Sequence, residues 1–149
     1  MIKLTAIALV ALSALWNSSS PDQWSATLSP SNGSTISGTA TAEGVGSADS
    51  TLVKISIRGA TPNATLPWHI HAGKCGATKA VLGAESAYPR LTTSAAGSAE
   101  ASVTLPVRPS KTGFYAVQVH RGTAASGKPA MQVVACGDLK AVLNKMPTN

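Results

Sequence analysis

Acidic residues are scarce in this chain, which has only six among its 149 residues. They stand far apart, so no pair of carboxylates is placed for glycoside hydrolysis. A nucleophile-elbow sequence is also missing, and a serine or cysteine hydrolase needs a nucleophile beside a positioned base. These absences argue against both classes of hydrolytic enzyme.

Clusters of positive charge are missing too, although 12 basic and six acidic residues give a net charge of +6. The basic residues from Lys54 to Lys145 are scattered singly, with no run and no interleaved aromatic residues. A nucleic-acid-binding protein normally gathers its basic residues into a stripe, so we predict no nucleic-acid partner. A general attraction for small anions or for an anionic membrane surface remains open.

Only one long hydrophobic run is present, at the N-terminus. Lys3 precedes an apolar segment from Leu4 to Leu15, the pattern of a secretory leader. This segment is shorter than the roughly 20 apolar residues that span a bilayer. We therefore predict a leader at residues 1–20, export to the periplasm or the outside, and one domain at residues 21–149. The alternative is a retained leader that tethers the domain to a membrane or a membrane complex.

Cysteines number only two, Cys75 and Cys136. In the oxidising compartment that export implies, they would form a disulfide. Such a bridge closes a loop of about sixty residues and would add about 4 kcal/mol of stability in the chain-entropy model. Two buried free thiols are the alternative.

A sustained helical period is absent beyond the leader, and short alternating segments separated by turn residues predict an all-β fold. The predicted architecture is an antiparallel Greek-key barrel or sandwich. Between residues 76 and 87 we expect a loop with one helical turn at Lys79–Leu82, and from Lys140 a loose tail or short helix. The candidate strands are Trp24–Ser29, Thr35–Glu43, Thr51–Arg58, the segment around His69 and His71, Ala99–Leu105, Phe114–His120 and Met131–Cys136.

The three histidines are the main candidates for chemistry. In an extended strand His69 and His71 point to one face, while Trp68 and Ile70 point to the other, towards a core. His120 ends another strand and also points away from the core-facing set. Three neutral imidazoles suit copper or zinc and leave a coordination position open. The alternative is that each ring meets only solvent or a backbone carbonyl.

Several segments resemble copper–zinc superoxide dismutase, in the same order over roughly residues 34 to 140. The resemblance implies an eight-stranded Greek-key barrel, a Cys75–Cys136 disulfide, and His69, His71 and His120 as three of the four copper ligands. The segments that carry it are Trp68–Cys75, Tyr88–Thr92 with Ala101–Pro106, Tyr115–His120 and Val134–Asp138.

The chain departs from that family where zinc would bind. The bridging histidine and the other zinc ligands belong between Cys75 and Tyr88, and no histidine stands there. Copper without zinc is therefore the expected cofactor. Three possible roles follow: an exported copper-binding protein with weak dismutase activity, a copper-only superoxide dismutase, or a non-enzymatic accessory subunit of a membrane-associated periplasmic assembly.

A second departure concerns the arginine that guides superoxide in the family, because Val133 stands at the matching position. Arg121 and Lys128, after His120, could supply a positive field for anion steering instead. Met131 lies nearby and could offer a soft thioether to Cu(I), although we expect it to fill the core.

Overall fold

The computed structural model describes residues 22–46, 49–122 and 131–142. The predicted leader at residues 1–20, Lys128 and the tail from residue 143 lie outside these ranges. Within them the elements are β1 (Gln23–Pro30), β2 (Ser37–Val45), β3 (Ser50–Arg58), β4 (Thr65–Leu66), β5 (Trp68–Lys74), β6 (Ala77–Val81), a 3₁₀ helix (Glu85–Ala87), β7 (Leu91–Thr92), β8 (Ala99–Leu105), β9 (Tyr115–His120) and β10 (Val133–Ala141).

Eight of these strands form one antiparallel sheet in the order β6-β5-β9-β10-β1-β2-β3-β8, and β4 pairs with β7. The sheet curls on itself. Strands that follow one another in sequence are not always neighbours in the sheet, because β8 pairs with β3 and β9 lies between β5 and β10. The structure confirms the predicted all-β, eight-stranded antiparallel barrel or sandwich.

The core is built by strict alternation along the strands, most clearly in β3. Val53, Ile55 and Ile57 are buried, while Lys54 and Arg58 are exposed. Burial of each such aliphatic side chain stabilises the fold by roughly 1.5–3 kcal/mol. Buried apolar side chains of the other strands belong to the same core, among them Trp24, Leu28, Trp68, Ile70, Leu105, Val117 and Val119.

The prediction for residues 76–87 was wrong. Instead of a loop with a helical turn at Lys79–Leu82, β6 folds back on β5 as a hairpin, with Lys74 opposite Ala77. The two residues between them form the turn, and Gly76 adopts a φ of +87°, which glycine alone adopts without strain. β6 thereby pairs with the edge of β5 that would otherwise be free. The only turn of helix in this segment is the 3₁₀ helix.

The last strand is longer than predicted, and it is bonded to the turn between β5 and β6. β10 continues to Ala141, which pairs with Trp24, so residues 140 and 141 are neither loose nor helical. Cys75 and Cys136 form the expected disulfide. The amide of Cys75 also donates a hydrogen bond to the Asp138 carboxylate at 2.8 Å. The turn that follows β5 is therefore attached to β10 at two neighbouring points.

The disulfide indicates an oxidising, extracellular-type environment. In the described ranges, none of the helical structure has the length and apolar character needed to cross a membrane.

Candidate metal centre

β5 positions two of the three histidines. Trp68 and Ile70 are fully buried in the core, which fixes the orientation of the strand and turns His69 and His71 to its opposite face. The indole of Trp68 also donates a hydrogen bond to the carbonyl of Pro89 at 2.6 Å. The strand therefore cannot rotate its histidine face without losing core packing.

β9 brings the third histidine alongside. His69 pairs with Gln118 across the two strands, so His120 lies on the same face, diagonally opposite His69. The amide of His120 donates to the carbonyl of Pro67 at 2.8 Å, which extends the pairing to the end of β9. This face is covered, since the side chains of His69 and His120 are both buried.

The three imidazoles form one cluster. A ring nitrogen from each lies within 4.8 Å of a ring nitrogen from the others. The ring centroids are 5.8 Å apart for His69 and His71, 5.3 Å for His69 and His120, and 5.8 Å for His71 and His120. Two nitrogens bound to one ion at about 2.1 Å are at most about 4.2 Å apart, so the cluster is close to the size that an ion requires.

Three converging nitrogens have no hydrogen-bond partner. Nδ1 of His69 and Nε2 of both His71 and His120 are buried and unpaired. The other nitrogens of two of these rings are paired: Nδ1 of His71 lies 2.9 Å from the carbonyl of Lys79, and Nδ1 of His120 lies 2.9 Å from the carbonyl of Met131. Because a carbonyl only accepts, each Nδ1 carries the proton and each Nε2 presents a lone pair.

This arrangement fits a metal ion. Histidine ligands in metalloproteins commonly donate their second ring nitrogen to a carbonyl or carboxylate, which fixes both the tautomer and the ring orientation. Here β6 supplies one such acceptor, through the carbonyl of Lys79, and the segment before β10 supplies the other, through Met131.

The electrostatics of the cluster favour the neutral form of His69 and His120. Burial first, and then the neighbouring His120, lowers the pKa of His69 from 6.5 to about 4. Burial also lowers the pKa of His120, against the opposing effect of its bond to the Met131 carbonyl. Neutral imidazole is the form that binds metals, so His69 and His120 are ready to act as ligands in mildly acidic solution.

A cavity of about 390 Å³ opens beside the cluster at His69. Its wall includes residues that the sequence did not bring to attention, above all Glu85 and Arg90. Their opposite charges both act on His69: Glu85 raises its pKa and Arg90 lowers it. Of the three histidines, His69 is the one that lines this cavity.

Tyr88 supports the wall between this cavity and the core. Its ring packs edge-on against Trp68 at 5.0 Å and against His69 at 5.3 Å. The hydroxyl donates to the carbonyl of Leu82 at 2.7 Å. Burial raises the pKa of Tyr88 to about 12, so this hydroxyl keeps its proton at neutral pH.

Arg121, predicted for anion steering, lies on a different cavity. Its guanidinium donates two hydrogen bonds to the side-chain oxygen of Gln132, at 3.0 and 2.8 Å. It lines a cavity with Asn32 and Val134, whereas His69 lines the cavity that contains Arg90. The steering role of Arg121 stays a prediction, as does that of Lys128, which lies outside the described residues.

The lowered pKa of His69 predicts acid sensitivity of the metal-free protein. In the unfolded chain a histidine binds a proton near pH 6.5, but folded His69 stays neutral down to about pH 4. The unfolded state therefore holds more protons in this window, and the free energy of unfolding falls as the pH falls. We expect this fall between pH 6.5 and 5, where most carboxylates remain ionised, in denaturant titrations after chelation. His69→Gln should flatten the slope; a wild-type profile already flat over this range would contradict the assignment.

Neither a scan against models of protein families nor a search of curated proteins finds a match to this chain. The resemblance to copper–zinc superoxide dismutase therefore stays a prediction from the motifs, and the function has to be inferred from the residues of the site.

Proposed function

We propose that this protein is an exported copper-binding protein that holds one copper ion through Nδ1 of His69 and Nε2 of His71 and His120. The observation that carries the proposal is the convergence of these three buried nitrogens, none of which has a hydrogen-bond partner. The disulfide and the motif resemblance to copper–zinc superoxide dismutase both agree with an exported protein of this kind.

A metal explains the unpaired nitrogens better than structural histidines do. A buried polar atom without a partner costs roughly 1–3 kcal/mol, and three of them lie here within one small region. Purely structural histidines would leave these lone pairs facing one another. A cation that all three share satisfies them together, while the carbonyls of Lys79 and Met131 hold two of the rings in place.

Copper is the ion that this donor set favours. All three donors are imidazoles, and among the divalent first-row ions such sites bind copper most strongly, ahead of zinc. Cu(I) is also satisfied by two or three imidazoles. Among the described residues, no carboxylate belongs to the cluster of potential ligands, so it does not provide the hard oxygen donors that magnesium and calcium require.

A weak superoxide dismutase activity is the second function that we propose, and the cavity beside His69 is the observation that favours it. Copper held by His69, His71 and His120 would supply the one-electron redox chemistry that converts two superoxide ions and two protons into O₂ and H₂O₂. Arg90 can attract and orient the anion in this cavity, whereas Glu85 repels it. A role as a non-enzymatic accessory subunit would depend on residues 1–20, which the described ranges do not include.

Removal of one imidazole tests the copper site. His71→Ala deletes a ligand whose ring is held by the Lys79 carbonyl, so we expect copper affinity to fall by at least about 100-fold, the upper range for loss of a supporting group. Competition titrations with Cu(I) and Cu(II) measure this. Lys79→Ala is the matched control, because it shortens an exposed side chain and keeps the carbonyl. Affinities that are equal in wild type and His71→Ala, or weaker than micromolar in wild type, would contradict the proposal.

The dismutase activity is tested by pulse radiolysis of the copper-loaded protein. If Arg90 attracts superoxide, the second-order rate should fall with added salt and should fall further in Arg90→Glu, which reverses the charge. Arg58→Glu, an exposed reversal on β3, is the control for the change in net charge. A rate equal to spontaneous disproportionation would exclude catalysis, and a faster rate that is insensitive to ionic strength would exclude steering by Arg90.

A further inference from the structure

Met131 does not fill the core. Its side chain is 51% exposed, so the expectation from sequence was wrong. An exposed methionine gains little from burial, and its thioether is free to move because three rotatable bonds separate it from the backbone region that holds it. The role of Met131 must therefore be inferred from its neighbouring residues and not from burial of its side chain.

Two observations relate Met131 to the histidine cluster, a backbone hydrogen bond and a shared cavity. Its carbonyl accepts the hydrogen bond from Nδ1 of His120 at 2.9 Å, which holds its backbone behind one ligand ring. It also lines the cavity of about 390 Å³ that opens beside His69, next to a second ligand. Met131 is thus the one residue with a soft sulfur donor among the described residues that line this cavity.

The same cavity contains a donor of the opposite kind. Glu85 lies on the 3₁₀ helix and offers a hard carboxylate oxygen. Soft thioether sulfur prefers Cu(I), whereas oxygen donors and water prefer Cu(II). Because Glu85 is not a member of the histidine cluster, Met131 is the cavity residue whose donor atom is matched to Cu(I).

We propose that Met131 supplies its thioether as the fourth ligand to Cu(I), so that the site selects and retains copper in its reduced state. This inference rests on the proposed three-histidine copper site and extends it. No bond is made or broken apart from coordination: Sδ donates a lone pair to Cu(I) and is released when the ion is oxidised or removed. The site would then serve uptake and holding of Cu(I) at least as much as turnover.

The test compares the full-length protein with Met131→Leu, which keeps side-chain volume and removes sulfur. Cu(I) affinity is measured by competition with a colorimetric chelator, and Cu(II) affinity by a parallel titration. We expect Met131→Leu to lower Cu(I) affinity about tenfold, the lower range for loss of a supporting group, and to leave Cu(II) affinity within about twofold. Phe114→Leu, an exposed change at the residue before β9, is the matched control.

X-ray absorption of the Cu(I)-loaded wild type gives an independent readout, because bound sulfur scatters at about 2.3 Å, a longer distance than imidazole nitrogen. We expect this signal in wild type and its loss in Met131→Leu. The wild-type spectrum decides the question even if the variant folds poorly, since a first shell of nitrogen or oxygen alone overturns the inference.

The variant His71→Ala separates the two proposals. If His71→Ala loses affinity for both Cu(I) and Cu(II) while Met131→Leu binds Cu(I) as wild type does, the role of Met131 is overturned and the three-histidine site stands. If His71→Ala also binds copper like wild type, the site itself is wrong and the role of Met131 falls with it.

Discussion

The antiparallel pairing of β5 with β9 is the constraint on which the site depends. Its register sets His69 opposite Gln118, which puts His120 on the same face and diagonally next to His69. A shift by one residue would turn the histidines of β5 into the core and Trp68 and Ile70 out of it. Burial of those two apolar side chains therefore maintains the alignment of the imidazoles, and the energy of the core holds the geometry of the site.

Two backbone carbonyls fix the orientation of imidazole rings that the strand pairing brings together. The Lys79 carbonyl on β6 and the Met131 carbonyl before β10 each fix one ring, so that Nε2 of His71 and His120 faces the cluster. The hairpin that carries the Lys79 carbonyl is itself anchored, because the disulfide and the Asp138 hydrogen bond attach its turn to β10.

Sequence alternation was sufficient to predict the all-β fold and the common face of His69 and His71, because both follow from a two-residue period. The proximity of His120 came from the family resemblance, since strand pairing over about fifty residues has no local signal. The supporting carbonyls could not be foreseen, because every residue carries one and only the tertiary fold selects which is used. The glycine of the Cys75-Gly76 pair was the local sequence signal that could have predicted the turn between β5 and β6. Glu85 and Arg90 lie in a short loop without periodicity, so their position beside His69 became visible only in the structure.

The central claim is that three specific nitrogens bind one copper ion. The most direct test is a crystal structure of the copper-loaded protein with anomalous diffraction measured on both sides of the copper absorption edge. The account predicts one anomalous peak within about 2.0–2.1 Å of Nδ1 of His69 and Nε2 of His71 and His120. A peak bound elsewhere, or no copper peak with the three nitrogens still unpaired, would contradict it.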